Sequence, residues 1–382
     1  MDGEAVLAKA LRRAAPGRIF TVPGYPVTGC GVLAGAEICT NEKVALEYAL
    51  GSSLAARPAA VLVKNVGMNL LADPLVQATA QGLRAPVVVV VGDDPHARAS
   101  QAAQDSRPFG PLAMVPVVEA ESAEDLPSAL VEAFALSAAL SRVALLRVTP
   151  DILQAEAGEV KDVGVPTGQG EVADPALTMR GRWAHALQTA AAHADHRPPE
   201  GVRVAMPPAD APQDRPETFH DRGYFRTFCR GCPFRPLFAL LERRGMRAAV
   251  DAGCSLLALN PPGSVGIASY GLGSAVAVGA RATGVALIGD YAILHSGINA
   301  LIDVHEKGVP LLCIVIENRR MGMVGGSAVA DISRYLEWAR PSVVEAADMN
   351  ALDRLIRPSD GPKTVIVRGN CPGGESHEQV EC

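Results

Sequence analysis

The segment from Val285 to Asn318 constrains the fold of this chain more than any other. It contains an apolar run, Val285 to Ile288, then Gly-Asp and a helical pattern, and a second apolar run, Leu311 to Ile316, soon followed by Asn318. Two short β-branched runs separated by a helix predict a βαβ unit with parallel strands. Asp290 and Asn318 then follow the carboxyl ends of neighbouring strands, where open α/β sheets bind ligands.

These two side chains suit a divalent cation. A carboxylate and an amide oxygen are ligands that Mg²⁺ accepts while it also holds phosphates. The alternative is an ordinary βαβ unit in which Asp290 is solvated. The pattern alone leaves both interpretations open.

The alternation of strands and helices continues through most of the chain. In the first part a helix is predicted at Ala5–Ala14, and strands at Arg18–Val22, Ala59–Val63, Val87–Val91 and Val143–Val148. In the last part helices are predicted at Leu237–Arg244 and Leu272–Arg281, and further strands at Ala248–Asp251 and Thr364–Val367. Short apolar strands between helices indicate parallel sheets covered on both faces. We therefore expect an α/β protein with two tandem doubly wound parallel-sheet domains, residues 1–150 and 226–382. Residues 151–225 would form a proline-rich connector with one helix at Arg182–Ala194.

Composition excludes several classes of protein. The 382 residues are 48% hydrophobic and 20% charged, which is typical of a compact protein. A formal charge of −6 and only 4% aromatic residues argue against a nucleic-acid partner. No apolar run approaches the roughly 20 residues of a membrane span, and the first residues lack the features of a signal peptide. We expect a cytoplasmic protein whose 8 cysteines are thiols or metal ligands rather than disulfides.

Several motifs together resemble a known family. The Gly-Asp to Asn spacing resembles the signature of thiamine diphosphate enzymes, except that Tyr291 replaces the second glycine of that signature. Further segments occur in the family's order: Asn41-Glu-Lys-Val-Ala-Leu-Glu, Val63-Lys-Asn-Val-Gly-Met-Asn, Gly92-Asp-Asp-Pro-His, Ser100-Gln-Ala-Ala-Gln-Asp-Ser-Arg, Cys229-Arg-Gly-Cys-Pro, Asp251-Ala-Gly-Cys, His295-Ser-Gly-Ile and Asn318-Arg-Arg-Met-Gly. Over roughly residues 1–150 and 226–375, the chain resembles the α subunit of indolepyruvate ferredoxin oxidoreductase.

The resemblance implies a cofactor and its main contacts. Residues 1–150 would be the pyrimidine-binding domain and residues 226–382 the diphosphate-binding domain of a thiamine diphosphate enzyme. Glu42 would hydrogen-bond the aminopyrimidine ring and activate it; otherwise it is a surface acid at a helix start. The side chains of Asp290 and Asn318, with the main-chain carbonyl of Arg320, would bind Mg²⁺.

Other residues are candidates by the same resemblance. His295 would lie beside the thiazolium and move protons, or else be a structural histidine. Tyr270 would bend the cofactor. Ser296 would begin a helix whose N–H groups face a phosphate, or serve only as its N-cap. The remaining cofactor contacts would come from Asn65, Gly67, Asn69, Gly289 and Tyr291.

Four cysteines match positions that hold an iron–sulfur cluster in 2-oxoacid oxidoreductases, namely Cys229, Cys232, Cys254 and Cys371. Four thiolates suit a 4Fe–4S cluster and would equally suit Zn²⁺. A redox disulfide between Cys229 and Cys232 is a further alternative.

The implied reaction is decarboxylation of a 2-oxo acid, in the family an aromatic one such as indolepyruvate. The enamine intermediate would then be oxidised through the cluster or a partner subunit. The family's C-terminal ferredoxin domain has no counterpart in the sequence, so we expect a ferredoxin or an electron-transfer subunit as acceptor. One alternative is a non-oxidative decarboxylase or carboligase like the sulfopyruvate and phosphonopyruvate decarboxylases. Another is a thiamine-binding subunit without activity. Thiamine enzymes build each site from two chains, so a homodimer is implied.

Overall fold

The computed structural model describes residues 1–159, 164, 168–261, 263, 265–371 and 377–382. These residues form two compact units. Unit 1 comprises Met1–Asp174 and Met179–Pro216, and unit 2 comprises Pro175–Thr178 and Glu217–Cys382. Each has an α/β architecture built on a mainly parallel sheet, as the sequence predicts.

Unit 1 contains a seven-stranded sheet in the order β2-β1-β3-β4-β6-β5-β7. Its strands are β1 (Ile19–Thr21), β2 (Glu37–Ile38), β3 (Ala59–Lys64), β4 (Val87–Gly92), β5 (Val117–Ala120), β6 (Ala144–Val148) and β7 (Val202–Ala205). All neighbouring strands pair in parallel except β5 and β7. Every residue of the central strand β4 is buried, as expected for a sheet covered on both faces.

The helices of unit 1 connect and cover these strands. They are α1 (Gly3–Ala14), α2 (Thr28–Ala34), α3 (Glu42–Leu54), α4 (Gly67–Gln81), α5 (Phe109–Ala113), α6 (Leu126–Leu140), α7 (Pro150–Gln154) and α8 (Met179–Ala192). The hydrophobic core includes Leu7 and Leu11 of α1, Val90 of β4 and Phe134 of α6. The core therefore joins two helices to the centre of the sheet.

The segment expected to be a connector is more structured than its prolines indicate. It contains α7 and α8, and its strand β7 pairs antiparallel with β5 at the edge of the sheet. The division between the units falls after Pro216, so most of residues 151–225 belongs to unit 1. The helix expected at Arg182–Ala194 overlaps α8, which begins three residues earlier, at Met179, and ends two residues earlier, at Ala192.

Unit 2 contains a five-stranded, entirely parallel sheet in the order β12-β13-β11-β10-β9. Chain order gives β8 (Tyr224–Arg226), β9 (Ala249–Val250), β10 (Val285–Gly289), β11 (Leu311–Glu317), β12 (Ser342–Glu345), β13 (Pro362–Arg368) and β14 (Gln379–Glu381). The short strands β8 and β14 form a separate antiparallel pair. The sequence pattern did not reveal this pair.

The helices of unit 2 are α9 (Phe219–Arg222), α10 (Arg235–Arg243), α11 (Ala275–Ala282), α12 (Asp290–Ala292), α13 (Ile298–Glu306) and α14 (Met349–Leu355). A π-helical turn, Ile293–Gly297, links α12 to α13. The core packs Leu237 and Leu241 of α10 with Leu287 of β10, Ile314 of β11 and Val365 of β13. Among the described residues no helix combines the length and apolar character needed to cross a membrane.

Candidate active site

Asp290 and Asn318 lie where the strand pattern places them. Strand β10 ends at Gly289 and β11 ends at Glu317, and the two strands pair in parallel with Gly289 opposite Ile316. Each polar residue therefore follows the carboxyl end of a central strand. This is the edge at which open α/β sheets bind their ligands.

The carboxylate of Asp290 is buried at the end of β10. Its side chain accepts hydrogen bonds from the backbone N–H of Tyr291 at 2.8 Å and of Arg319 at 2.5 Å. Among the described residues no lysine, arginine or histidine forms an ion pair with it. Burial raises its pKa to about 6, although these backbone donors favour the charged form. A carboxylate in this state would be stabilised by a bound cation.

Asn318 and Arg320 supply oxygen atoms next to Asp290. The Asn318 side-chain oxygen accepts a hydrogen bond from the Arg320 N–H at 2.9 Å. The Arg320 carbonyl accepts one from the Gly322 N–H at 2.9 Å. Each oxygen keeps a second lone pair for another partner. The donor set of carboxylate, amide and carbonyl oxygens fits Mg²⁺, which also takes phosphate oxygens and water.

The four predicted cysteines line one cavity of unit 2. Its walls are Phe228, Cys229, Cys232, Pro233, Phe234, Cys254, Asn318, Gly322, Cys371 and His377. All four thiols are free. Asn318 thus belongs both to the oxygen-rich strand ends, which are Asp290, Asn318 and Arg320, and to the thiol-lined cavity. The sequence predicts this convergence, because Cys254 and Cys371 each follow a strand of the same sheet.

The four thiols line one cavity but do not form a closed metal site. Burial raises the pKa of Cys254 to about 12, with smaller contributions from the other three cysteines and Asp290. Burial likewise raises the pKa of Cys229 and Cys232. The cavity holds only about 20 Å³, and in the described part of the chain no three His, Cys, Asp or Glu side chains stand at metal-binding distances. Four cysteine sulfur atoms are the donor type that binds a thiolate-ligated metal centre.

His377 lines this cavity and Glu378 contacts the arginines beside it, and the sequence pattern gave no signal for either residue. The His377 Nε2 atom lies 3.7 Å from the Cys254 sulfur. Glu378 accepts hydrogen bonds from Arg230 at 3.1 Å and from Arg235 at 2.6 Å, and Arg230 lies between Cys229 and Cys232. Strand β14 continues from here and pairs with β8. The terminal residues therefore hold the Cys-x-x-Cys loop in place.

The segment after Asp290 differs from the expectation for Ser296. The helix begins at Asp290, so Ser296 lies within the π-helical turn and is not an N-cap. Its hydroxyl donates to the Leu272 carbonyl at 2.6 Å. Gly273 packs against Ser296 so closely that a Cβ atom there would lie 2.0 Å from the Ser296 hydroxyl oxygen. The serine therefore joins this turn to the Gly271–Gly273 loop.

Other candidates in unit 2 vary in exposure. His295 is exposed, its Nδ1 lies 3.2 Å from the Ser296 hydroxyl, and its ring lies 6.0 Å from that of Tyr291. π-helical turns often occur at functional sites. Tyr270 is fully buried, so in this conformation its ring is covered by protein. A Cβ atom at Gly289 would meet no atom within 4 Å, which leaves open space beside Asp290.

Glu42 lies in unit 1, at the first position of α3. Asn41 caps this helix by accepting a hydrogen bond from the Val44 N–H at 2.9 Å. The Glu42 side chain packs against Gly67, the first residue of α4. A Cβ atom at Gly67 would approach the Glu42 carboxylate to 2.8 Å. Because Gly67 has no side chain, the Glu42 carboxylate can occupy the space beside it.

The asparagines near α4 have structural partners. Asn65 is fully buried and donates to the carbonyls of Ala102, at 3.0 Å, and Gln104, at 3.4 Å. Asn69 donates to the Gln104 side chain at 2.9 Å. These contacts attach the loop after β4 to the start of α4. Glu47 is also buried, and it pairs with Lys43 at 3.1 Å.

One protein family matches the part of unit 2 that contains these strand ends. Residues 251–351 match the family described as thiamine pyrophosphate enzyme, C-terminal TPP binding domain. This range contains Asp290, Asn318 and Cys254. These residues are therefore similar to the cofactor-binding domain of thiamine diphosphate enzymes.

Curated relatives make the likeness more specific. The chain is 45% identical over 89 residues to indolepyruvate oxidoreductase subunit IorA of Archaeoglobus fulgidus, covering 23% of this chain and 14% of that protein. It is 32% identical over 170 residues to IorA of Methanothermobacter marburgensis, covering 41% of this chain and 28% of that protein. These matches confirm the resemblance to thiamine diphosphate-dependent 2-oxoacid oxidoreductases. They span less than a third of the relatives' length.

Solved structures confirm the fold. The Rhodococcus jostii RHA1 thiamine diphosphate-dependent 4-hydroxybenzoylformate decarboxylase superposes with a TM-score of 0.61 at 15% identity, covering 97% of this chain and 99% of that one. A Mycobacterium smegmatis protein assigned to the thiamin diphosphate-dependent enzymes gives 0.62 at 14% identity, covering 97% and 100%. At such identities the likeness concerns the fold alone.

Proposed function

We propose that the chain binds thiamine diphosphate and Mg²⁺ and decarboxylates a 2-oxo acid, and that a 4Fe–4S cluster on Cys229, Cys232, Cys254 and Cys371 receives the electrons. One observation carries this proposal. Asn318 borders both the oxygen-rich strand ends and the cavity lined by the four thiols. A metal-bound diphosphate and a redox centre at these two positions would be neighbours. That arrangement suits electron transfer from the cofactor to the cluster.

Bound thiamine diphosphate would provide a carbanion for attack on the keto carbon, and this chain's residues would bind and orient it. Asp290, Asn318 and the Arg320 carbonyl would hold Mg²⁺ and through it the diphosphate. Glu42 would accept a hydrogen bond from the pyrimidine ring. His295, exposed on the π-helical turn, would exchange protons with the substrate. Tyr270 would support the bent cofactor only after its ring becomes accessible.

The domain roles and the assembly follow from this proposal. Residues 1–150 would bind the pyrimidine, with Gly67 shaping the site and Asn65 and Asn69 holding its loop. Residues 226–382 would bind the diphosphate, with Gly289 and Tyr291 beside the metal and the Ser296 turn supporting them. A homodimer would pair the first domain of one chain with the second domain of another.

The substrate and acceptor are inferred from the relatives. Because the matched proteins are subunits named for indolepyruvate, we infer an aromatic 2-oxo acid as substrate. A ferredoxin or another electron-transfer subunit would accept the electrons from the cluster. We place the reaction in the cytoplasm, where reducing conditions keep the four thiols free for the metal.

A second function has its own support. The thiol cavity is only about 20 Å³, and one structural neighbour is named a 4-hydroxybenzoylformate decarboxylase. Without a cluster the same site would release CO₂ and an aldehyde, or join the fragment to a second carbonyl compound. Failure to turn over any 2-oxo acid, with cofactor binding intact, would instead indicate a thiamine-binding subunit.

Anaerobic purification separates these functions. We expect about four irons per chain and the broad visible absorption of a 4Fe–4S cluster. Cys254→Ser should lose most of the iron, because one of four ligands is removed. Cys382→Ser is the matched control, since Cys382 is exposed and lies outside the cavity. Iron-free wild-type protein that still converts a 2-oxo acid to an aldehyde would replace the oxidoreductase proposal with the decarboxylase.

A further inference from the structure

Unit 2 has a second cavity, at the opposite edge of its sheet from Asp290 and Asn318. It opens where β12 begins at Ser342 and β13 begins at Pro362, whereas Asp290 follows the carboxyl end of β10. Its volume is about 400 Å³. Cavities that bind small organic ligands typically measure about 300–1,000 Å³. The space is therefore sufficient for a ligand of nucleotide size.

The lining of this cavity is basic and hydroxyl-rich. It consists of His305, Trp338, Ala339, Arg340, Ser342, Pro362, Lys363 and Thr364. No lining residue is acidic, in a chain whose formal charge is −6. Among the described residues neither Arg340 nor Lys363 forms an ion pair. Guanidinium, ammonium and hydroxyl groups facing one space are the usual donors to a phosphate.

No carboxylate in the described part of the chain pairs with the Lys363 ammonium. It donates a hydrogen bond to the Leu355 carbonyl, which uses one of its three protons. Burial and the nearby Arg357 guanidinium lower its pKa. Both effects disfavour the charged ammonium in the empty cavity. An anion bound beside Lys363 would favour the charged ammonium and raise its pKa.

Trp338 gives the cavity an aromatic wall. Its side chain remains 44% exposed although its indole N–H donates to the Tyr335 carbonyl at 2.9 Å. The His305 ring meets it edge-on, with ring centroids 5.3 Å apart. These contacts fix the indole and leave part of its surface free. Such a fixed ring can pack against a planar group of a ligand.

The backbone at Arg340 is also unusual. Arg340 has a φ of 46° and a ψ of 55°, the left-handed conformation that residues other than glycine rarely adopt. It directly follows the short 3₁₀ turn that carries Trp338. Non-glycine residues in sparsely populated conformations often occur at ligand sites. The turn thereby presents the indole and the guanidinium to the same cavity.

We propose that this cavity binds a phosphate monoester carried on an aromatic group, such as a nucleoside monophosphate. Arg340 and Lys363 would hold the phosphate, with hydrogen bonds from Ser342 and Thr364. Trp338 would pack against the aromatic ring. The site is separate from the proposed thiamine diphosphate site and does not depend on that function.

Calorimetric titration of the full chain with AMP tests the proposal, with saturating thiamine diphosphate and Mg²⁺ present to occupy the other phosphate site. We expect AMP to bind, and adenosine and inorganic phosphate each to bind at least about tenfold more weakly. Arg340→Gln and Lys363→Gln should each weaken AMP binding by about tenfold. Arg354→Gln is the matched control, because Arg354 is exposed in the same unit and does not line the cavity.

Tryptophan fluorescence gives an independent signal, because the chain has only 2 tryptophans. AMP should change the emission of the wild type but not of Trp338→Phe. Absence of AMP binding at millimolar concentration, or equal binding by wild type, Arg340→Gln and Lys363→Gln, would overturn the proposal. Equal affinity for phosphate and AMP would refute the aromatic part. Circular dichroism of each variant confirms that lost binding reflects the site rather than unfolding.

Discussion

Replacing Glu42 with glutamine is expected to lower the turnover of a 2-oxo acid by between about 10² and 10⁴, the range that a positioned acid or base contributes. Glutamine keeps the size of the side chain but removes the negative charge that would activate the pyrimidine ring. Thiamine diphosphate should still bind, because the proposed metal and diphosphate contacts lie in unit 2. Steady-state kinetics and calorimetric titration on the same preparation separate the two effects.

Gly67→Ala tests the same assignment without altering the carboxylate. A Cβ atom at Gly67 would lie 2.8 Å from the Glu42 side chain, so the carboxylate must move. We expect a loss of turnover in the same direction as for Glu42→Gln. Glu121→Gln is the control, because that side chain is 57% exposed in unit 1 and, among the described residues, pairs only with Arg203, at 4.0 Å. Full activity of Glu42→Gln would show that another group activates the cofactor.

Replacing Asp290 with alanine is expected to weaken Mg²⁺-dependent binding of thiamine diphosphate by at least about a hundredfold. Mutation of a group that only supports a metal ligand typically costs about 10–100-fold in affinity, and Asp290 is proposed as a ligand itself. Asp360→Ala serves as the control, since Asp360 is exposed and precedes the amino end of β13, whereas Asp290 follows the carboxyl end of β10. Titration calorimetry measures the difference. If Asp290→Ala and wild type bind alike, the metal assignment is wrong.

The raised pKa of Asp290 adds a pH dependence. Its pKa is about 6, against an ordinary value of 3.8, so metal-free folded protein holds this proton more tightly than unfolded protein does. Its contribution to stability therefore falls as pH rises from about 4 to about 6. Bound Mg²⁺ requires the ionised carboxylate and should restore that stability above pH 6. Cofactor affinity should correspondingly decline below about pH 6. Thermal unfolding across this pH range, with and without Mg²⁺, measures both the loss of stability without metal and its recovery with metal.

The sequence predicted what depends on strand order. Asp290 and Asn318 follow adjacent apolar runs, and in a parallel sheet this alone brings them to one edge. Cys254 and Cys371 also follow strands of the same sheet, so their convergence with the Cys-x-x-Cys loop could be anticipated. The run of valines from Val87 to Val91 likewise predicted the strand β4.

The remaining features depend on contacts that local patterns do not encode. Strand β7 follows a proline-rich stretch and pairs with β5, about 80 residues earlier in the chain. The β8–β14 pair and the contact of His377 with Cys254 join segments more than 100 residues apart. The helical segment begins at Asp290 rather than at Ser296, because the π-helical turn continues it without a break into α13. The second cavity is likewise assembled from separate segments of the chain.

An anaerobic single-turnover experiment tests the central claim most directly. Protein carrying thiamine diphosphate, Mg²⁺ and reconstituted iron is mixed with one equivalent of an aromatic 2-oxo acid, and the visible absorption and CO₂ are followed together. We predict that CO₂ release is accompanied by bleaching of the cluster absorption, as electrons pass to the centre beside Asn318. Stoichiometric CO₂ and aldehyde with an unchanged spectrum would contradict the account.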